Sequence, residues 1–175
     1  MDRWLPDVCA ASFARMNAHA DVVGIQNTDE ATFRSFFLAE LRRRFPKAAC
    51  QTEWFRYDLL VQHARRNILI EFKYYLTRPL VGLDGSRVRW KGGAGPKNEG
   101  EFRTCVAKLR HCKHAPIHAK YLVLAYERNT PRKSGASFHA SYRDLARGGG
   151  GDVVAVWKSE PRGKSHLYCV ALEIK

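Results

Sequence analysis

Two apolar runs with a short polar, basic break between them, within residues 54–76 (WFRYDLLVQHARRNILIEFKYYL), constrain the fold more than any other stretch. Their length and composition predict two strands of an antiparallel hairpin. With the apex midway between Gln62 and Asn67, Asp58 on the first strand lies directly opposite Glu71 on the second. Facing carboxylates repel each other and destabilise a hairpin. The usual reason for such a pair is a hard divalent cation bound between them.

A lysine accompanies the second carboxylate. Lys73 follows Glu71 by two positions. Because alternate side chains of a strand share a face, the two point the same way, about 7 Å apart. The stretch therefore predicts a cation site with an ammonium beside it.

A helix precedes these strands, with Thr28 predicted as its N-cap and Pro46 ending it. At about 100° per residue, its apolar arc consists of Phe33, Phe36, Phe37 and Leu41. Glu40 lies inside that arc, where an unpaired carboxylate is costly. Either Glu40 forms a salt bridge with Arg44 at the helix edge, or it faces the strands and joins their metal site. Glu30 is also near the arc, but a favourable interaction with the helix dipole accounts for it.

The charge balance points to a polyanionic partner. The 175 residues include 30 Lys and Arg against 17 Asp and Glu, a net charge of +13. Such a surface attracts nucleic acid first and anionic membrane second. No apolar run reaches the length that crosses a bilayer, and the N-terminal residues lack a signal-peptide pattern. We therefore expect a cytoplasmic protein without a membrane partner.

The five cysteines are scattered, odd in number and without a CxxC motif, which predicts reduced thiols. One group deserves comparison with zinc sites: Cys105, His111, Cys112, His114 and His118. It offers only the histidine half of the usual spacing, and Pro116 interrupts it. We interpret this group as a basic helix end rather than a structural zinc site.

The chain in order predicts a mixed α/β domain with its core at 28–127, a helical extension at 1–27 and an addition at 128–175. The elements expected are helices at 8–19, 28–45, 101–113 and 141–147, strands at 48–55, 57–62, 68–76, 120–127, 153–158 and 166–174, a basic loop at 128–137 and a flexible join at 148–151. A tight turn at 83–86 predicts a hairpin flap within 77–100.

Basic residues of the flap and of the helix after it are candidates for contacts with a nucleic-acid backbone. They are Arg87, Arg89, Lys91, Lys97 and Lys108. A mobile surface loop would explain the flap residues equally well.

The order helix, three strands, helix, strand, together with Asp58 and Glu71-Phe72-Lys73, resembles the PD-(D/E)xK nuclease superfamily, which has the restriction-endonuclease-like fold. The resemblance covers residues 28–127 and implies an αβββαβ core with a central mixed sheet flanked by helices. The proline that precedes the aspartate in the family motif is absent, because Tyr57 stands there.

The resemblance also implies roles for individual residues. Asp58 and Glu71 would be the metal-binding acids, Lys73 the catalytic lysine and Glu40 the helix glutamate. The backbone carbonyl of Phe72 would add a ligand to Mg²⁺ or Mn²⁺, since Mg²⁺ prefers oxygen ligands.

The implied activity is metal-dependent hydrolysis of phosphodiester bonds, with DNA favoured over RNA, in defence, restriction, DNA processing or as a toxin. A ribonuclease with the same site, a non-catalytic nucleic-acid-binding protein on this fold, and a basic interaction protein without a nucleic-acid role remain alternatives. A homodimer, or a partner protein that supplies specificity, is compatible with this activity.

A second ExK stretch, Glu173-Ile174-Lys175, follows Asp152 near the C-terminus. It lacks the preceding acidic helix and the following helix and strand. We interpret it as an outer strand with alternating charge.

Overall fold

The computed structural model describes residues 4–75, 78–91, 96–114, 116–129, 151–160 and 165–175. The helices are α1 (Trp4–Val23), α2 (Glu30–Arg44) and α3 (Pro96–Arg110), with a 3₁₀ turn at Ile25–Asn27. The strands are β1 (Ala49–Trp54), β2 (Tyr57–His63), β3 (Arg66–Tyr75), β4 (Arg78–Val81), β5 (Arg87–Lys91), β6 (Ala119–Asn129), β7 (Gly151–Lys158) and β8 (Ser165–Ile174).

Six of these strands form one mixed sheet in the order β1-β2-β3-β6-β8-β7. β3 and β6 run parallel, and the other neighbouring strands are antiparallel. β4 and β5 pair separately as a two-stranded hairpin. The predicted mixed α/β class is confirmed.

Helices cover the two faces of the sheet. Phe33 of α2 is fully buried in a core that includes Phe72 of β3, and residues of α1 complete that layer. Phe102 of α3 lies in a second core with Leu69 of β3. Because alternate residues of a strand share a face, Glu71 belongs to the side of the sheet that α3 covers. Burying one such phenylalanine contributes about 1.5–3 kcal/mol, so these two layers fix the helices over the strands.

The hairpin of β2 and β3 has the predicted register, with Gln62 opposite Asn67. The ladder continues to Leu59 opposite Ile70, and one further step places Asp58 opposite Glu71. The structure thus has the strand register that the sequence predicts, and this register brings the two carboxylates opposite each other.

The start of α2 differs from the prediction. Asp29, not Thr28, is the N-cap, and its carboxylate accepts the backbone N–H of Thr32 at 2.8 Å. The Thr28 hydroxyl instead lies 2.5 Å from the hydroxyl of Tyr74, near the carboxyl end of β3. This contact places the amino end of α2 next to the end of β3 that carries Glu71 and Lys73.

The predicted flap is present as the β4–β5 hairpin. Asp84 accepts the backbone N–H of Ser86 at 2.9 Å, which closes the predicted tight turn. The strand pairing links Arg78 with Lys91 and Pro79 with Trp90.

The C-terminal strands are present, but their order differs from the prediction. β8 lies between β6 and β7, so the stretch with the second ExK is interior and β7 is the outer strand. The helix predicted at 141–147 and most of the loop and join predicted around it lie outside the described residues. Among the described helices, none is long and apolar enough to cross a membrane.

The turn of the β2–β3 hairpin provides a test of the register. Ala64 and Arg65 both adopt positive φ, 49° and 62°. Residues other than glycine lose about 1–2 kcal/mol in this conformation, and Asn-Gly is favoured there. Replacing Ala64-Arg65 by Asn-Gly should therefore raise the free energy of unfolding by about 1 kcal/mol in urea denaturation. A matched control is Ala39→Gly in α2, where glycine should lower that free energy by about 1 kcal/mol. Destabilisation by Asn-Gly would contradict the turn geometry.

Candidate active site

The first acid of the site, Asp58, is held in place from two sides. Its Oδ2 accepts the backbone N–H of Phe72 at 2.7 Å, and Nη1 of Arg34 lies 3.4 Å from its Oδ1. The last pair of the β2–β3 ladder is Leu59 with Ile70, so the backbone of Phe72 has no partner on β2. The carboxylate of Asp58 takes the place of that partner. Its side chain is 14% exposed, which leaves it within reach of a ligand.

The second acid, Glu71, is almost completely buried, with its side chain 4% exposed. Its Oε1 accepts a short hydrogen bond from Nζ of Lys108 in α3. Its Oε2 is buried and accepts no hydrogen bond from any residue that the structure describes. Burial raises the pKa of Glu71; Lys108 lowers it in part, and the nearby charge of Asp58 raises it further. A buried carboxylate oxygen without a protein partner is satisfied by a cation, a proton or an ordered water molecule.

Lys73 is paired with a glutamate that the sequence analysis assigned to the helix dipole. Its Nζ lies 3.4 Å and 3.3 Å from the two carboxylate oxygens of Glu30, the first residue of α2. Burial lowers the pKa of Lys73, but Glu30 and the other nearby acids outweigh burial and raise it overall. Burial also raises the pKa of Glu30, partly offset by Lys73. Lys73 is therefore a fixed ammonium at neutral pH.

Glu40 lies elsewhere. Its Oε1 accepts from Arg15 of α1 at 3.0 Å, and its Oε2 accepts from Arg43 at 2.9 Å. The hydrogen bonds from Arg43 and Arg15 lower the pKa of Glu40 despite burial. Glu40 is ten residues from Glu30, about 15 Å along α2. The structure therefore brings Glu30, not Glu40, to the site, and the expected salt bridge of Glu40 forms with Arg43 rather than Arg44.

The cations predicted to bind nucleic acid are placed differently from one another. Lys108 is at the site, where its Nζ also donates to the backbone carbonyl of Arg56 at 2.6 Å. Lys97 is exposed at the start of α3. The backbones of Arg87, Arg89 and Lys91 form β5, and the placement of their side chains lies outside what the structure describes.

The donor set fits a small hard cation that keeps several water ligands. Among the described residues, no group of three or more His, Cys, Asp or Glu side chains could hold a metal ion. Mg²⁺, however, is commonly bound by one or two carboxylates, with water and phosphate oxygens completing its shell. Such a set of oxygen ligands is available from the carboxylates of Asp58 and Glu71 and the backbone carbonyl of Phe72. The partnerless Oε2 of Glu71 is the observation that favours a bound cation.

The second ExK stretch has a similar register but different surroundings. Asp152 lies opposite Glu173 across β7 and β8. Its side chain is 61% exposed and is paired with Lys175 at 2.6 Å. Leu122 pairs with both Glu71 and Leu172, so the neighbouring Glu173 faces the other side of the sheet. Asp152 is thus exposed and Glu173 partly buried, and this pair is separate from Asp58 and Glu71.

Three residues of the site were not selected from the sequence for the roles they have: Glu30, Arg34 and Lys108. Glu30 precedes Phe33 by three positions and Phe37 by seven, which places it on the buried side of α2. That spacing was the available signal for Glu30. The contacts of Arg34 with Asp58, and of Lys108 with Glu71, join residues far apart in sequence and have no local signal.

The raised pKa of Glu71 predicts a pH effect on stability. A carboxyl with a raised folded-state pKa binds its proton more tightly when folded, so stability falls as pH rises from the ordinary value of 4.5 through the raised pKa. Glutamine does not ionise, so Glu71→Gln should not lose stability as the pH rises. The variant should melt a few degrees Celsius higher than wild type at pH 8, with no gain at pH 4. Thermal melting between pH 4 and pH 8 checks this, with Glu173→Gln as the control. A lower melting temperature for Glu71→Gln at pH 8 would show that the pair with Lys108 dominates.

Divalent cations should stabilise the folded chain. At one hundred times its Kd, Mg²⁺ is expected to add about 2.7 kcal/mol, which corresponds to about 5–10 °C in Tm for a chain of this size. Asp58→Asn and Glu71→Gln should abolish the shift, while Asp152→Asn should retain it. An equal shift in all three variants would place the cation elsewhere.

Comparison with known proteins gives no match: no protein-family model, no curated protein and no solved structure matches the chain.

Proposed function

We propose that this chain is a metal-dependent nuclease that hydrolyses phosphodiester bonds, with DNA as the favoured substrate. The observation that carries the proposal is the buried carboxylate of Glu71, which faces Asp58 and leaves Oε2 without a partner among the described residues. Two ammonium groups, of Lys73 and Lys108, accompany these acids. Paired acids with adjacent cations are suited to neutralising a phosphate that gains negative charge during hydrolysis.

The order of the elements supports a restriction-endonuclease-like core. α2, β1, β2, β3, α3 and β6 follow one another in the αβββαβ order that the resemblance implies, with the β4–β5 flap inserted before α3. β1, β2 and β3 form an antiparallel meander, and β6 joins β3 in parallel. In this arrangement the acids come from adjacent central strands, and a glutamate comes from the helix that precedes them.

Asp58, Glu71 and the backbone carbonyl of Phe72 would hold Mg²⁺ or Mn²⁺. Bound there, the ion would lower the pKa of a bound water molecule and polarise a phosphoryl oxygen. The N–H of Phe72 fixes the orientation of Asp58, so this carboxylate needs little rearrangement to bind.

The lysines would act on the water and the phosphate. Because the pKa of Lys73 is raised, this residue is charged at neutral pH and serves as a hydrogen-bond donor and cation rather than as a base. It would orient the attacking water and stabilise negative charge on the phosphate. Glu30 holds the Lys73 ammonium in position. Glu40, the glutamate that the resemblance assigns to the metal site, is not in contact with Lys73. Lys108 would exchange its contact with Glu71 for one with phosphate.

The net charge of +13 favours a nucleic-acid substrate in general. Hydrolysis of this kind does not involve the 2′-hydroxyl, so the geometry is compatible with RNA as well as DNA. DNA is favoured because it is the commonest substrate of the superfamily that the chain resembles.

The purified protein should cut DNA with Mg²⁺ or Mn²⁺ and lose this activity in EDTA. Asp58→Asn and Glu71→Gln should lower the cleavage rate at least about 100-fold, since each removes a charge that the transition state requires. Lys73→Ala should lower it by a similar factor, and Glu30→Gln by about 10–100-fold, because Glu30 acts through Lys73. Cleavage of labelled single-stranded DNA, duplex DNA and RNA measures these effects.

Two variants serve as controls. Glu40→Gln lies on the same helix as Glu30, and Glu173→Gln belongs to the other facing pair; both should cut at nearly the wild-type rate. A dead Glu173→Gln variant with active Glu71→Gln would contradict the assignment. Binding with a steep salt dependence, without cleavage under any metal, would identify a nucleic-acid-binding protein instead.

A further inference from the structure

The turn between β1 and β2 carries an aromatic residue in an unfavourable conformation. Trp54 pairs with Tyr57, so Phe55 and Arg56 alone form the turn. Phe55 has a φ of 54°, in the left-handed region where glycine, asparagine and aspartate are usual. For a bulky residue this conformation is an outlier, whereas glycine adopts it without strain.

The same phenylalanine is exposed. Its relative exposure is 67%, and it is the one Phe, Tyr or Trp classed as exposed among residues whose side chains the structure describes. One face of its ring is covered by His114, stacked at 4.3 Å between centroids and only 8° from parallel. Trp54 contacts Phe55 and His114 edge-on, at 4.8 Å and 5.4 Å. These contacts hold a flat aromatic surface in place before any ligand arrives.

This surface borders a cleft next to the facing carboxylates. The cleft, about 580 Å³, is lined by Phe55, Arg56, Tyr57, Lys108, His111 and His114. Lys108 connects it to the active site, since its Nζ contacts both the carbonyl of Arg56 and the carboxylate of Glu71. Phe55 precedes Asp58 by only three residues, so their Cα atoms lie at most about 11 Å apart. A group bound in the cleft would therefore lie within a short distance of a phosphate at Asp58 and Glu71.

We propose that Phe55, supported by His114 and Trp54, is a stacking platform for an unpaired nucleobase next to the phosphate that the site cleaves. The substrate class is then single-stranded nucleic acid, or a duplex with a single-stranded extension. The cleavage part of this proposal rests on the proposed nuclease function, whereas the binding part does not.

Two features favour a base over an apolar protein segment. Every base offers a flat π-surface to an aromatic ring, and the cationic lining from Arg56 and Lys108 suits the phosphates on either side of it. Within an intact duplex, both faces of an internal base are covered by the neighbouring bases. An unpaired base has a free face that can stack on Phe55.

Binding is measured in EDTA, where no cleavage occurs, by fluorescence anisotropy of four probes of one sequence: single-stranded DNA, single-stranded RNA, a blunt DNA duplex, and that duplex with a single-stranded extension. Phe55→Ala should weaken binding of the probes with unpaired bases about 5- to 150-fold and change blunt-duplex binding little. Phe55→Trp should retain wild-type affinity. The slope of binding against salt concentration should stay unchanged in Phe55→Ala, because no phosphate contact is removed.

Two further variants exclude trivial explanations. Phe55→Gly suits the positive φ and should fold at least as stably as wild type, yet bind unpaired bases as weakly as Phe55→Ala. Val22→Ala truncates another exposed apolar side chain, on α1, and should bind as wild type does.

Unchanged affinity of Phe55→Ala for the unpaired probes would overturn the platform, and would leave a protein partner as the occupant of this surface. Equal losses for single-stranded and blunt probes would overturn it as well.

The platform and the nuclease proposals can fail independently of each other. Selective loss of single-strand binding without cleavage under any metal supports the platform and rejects the nuclease. Cleavage that depends on Glu71, together with binding of the unpaired probes that does not depend on Phe55, supports the nuclease and rejects the platform.

Discussion

The facing carboxylates of Asp58 and Glu71 are the constraint on which the site depends. Apolar strands bury Glu71, and burial raises its pKa, so ionisation has a cost in the metal-free chain. Lys108 of α3 reduces that cost by donating to one oxygen of Glu71, while the N–H of Phe72 donates to one oxygen of Asp58. The remaining oxygen of Glu71 has no partner within the described part of the chain. A cation bound at this pair would satisfy the free oxygen of Glu71 and offset the repulsion between the two carboxylates.

The helices on the two faces of the sheet act on this pair in different ways. α3 supplies Lys108 from one face. α2 supplies Arg34 to Asp58 and Glu30 to Lys73, because its amino end lies beside the carboxyl end of β3. Packing of Phe33 and Phe37 edge-on against Phe72 fixes that position, at ring distances of 5.9 Å and 5.1 Å. The hydrophobic layer therefore determines which charged groups of α2 reach the acids.

Glu30 and Glu40 show where sequence reasoning reaches its limit. Both lie on the buried side of α2, at helical spacing from Phe33 and Phe37, so helical periodicity places them equally well near the sheet. Periodicity identifies a face of a helix but not which end of that face lies over a given strand. Contacts with Arg15 of α1 and with Lys73 of β3 decide between them, and those partners are distant in sequence.

The sequence by itself determined the hairpin, its register, the pair formed by Asp58 and Glu71, and the mixed α/β class, because strand alternation and turn position are local properties. The place of β8 inside the sheet, the exchange of Glu30 for Glu40, and the contact of Lys108 with Glu71 were decided only in the tertiary structure. The stacking of Phe55 on His114 belongs with them. These features arise from the packing of segments far apart in the chain, and no local pattern of residues encodes which distant side chain fills a given position.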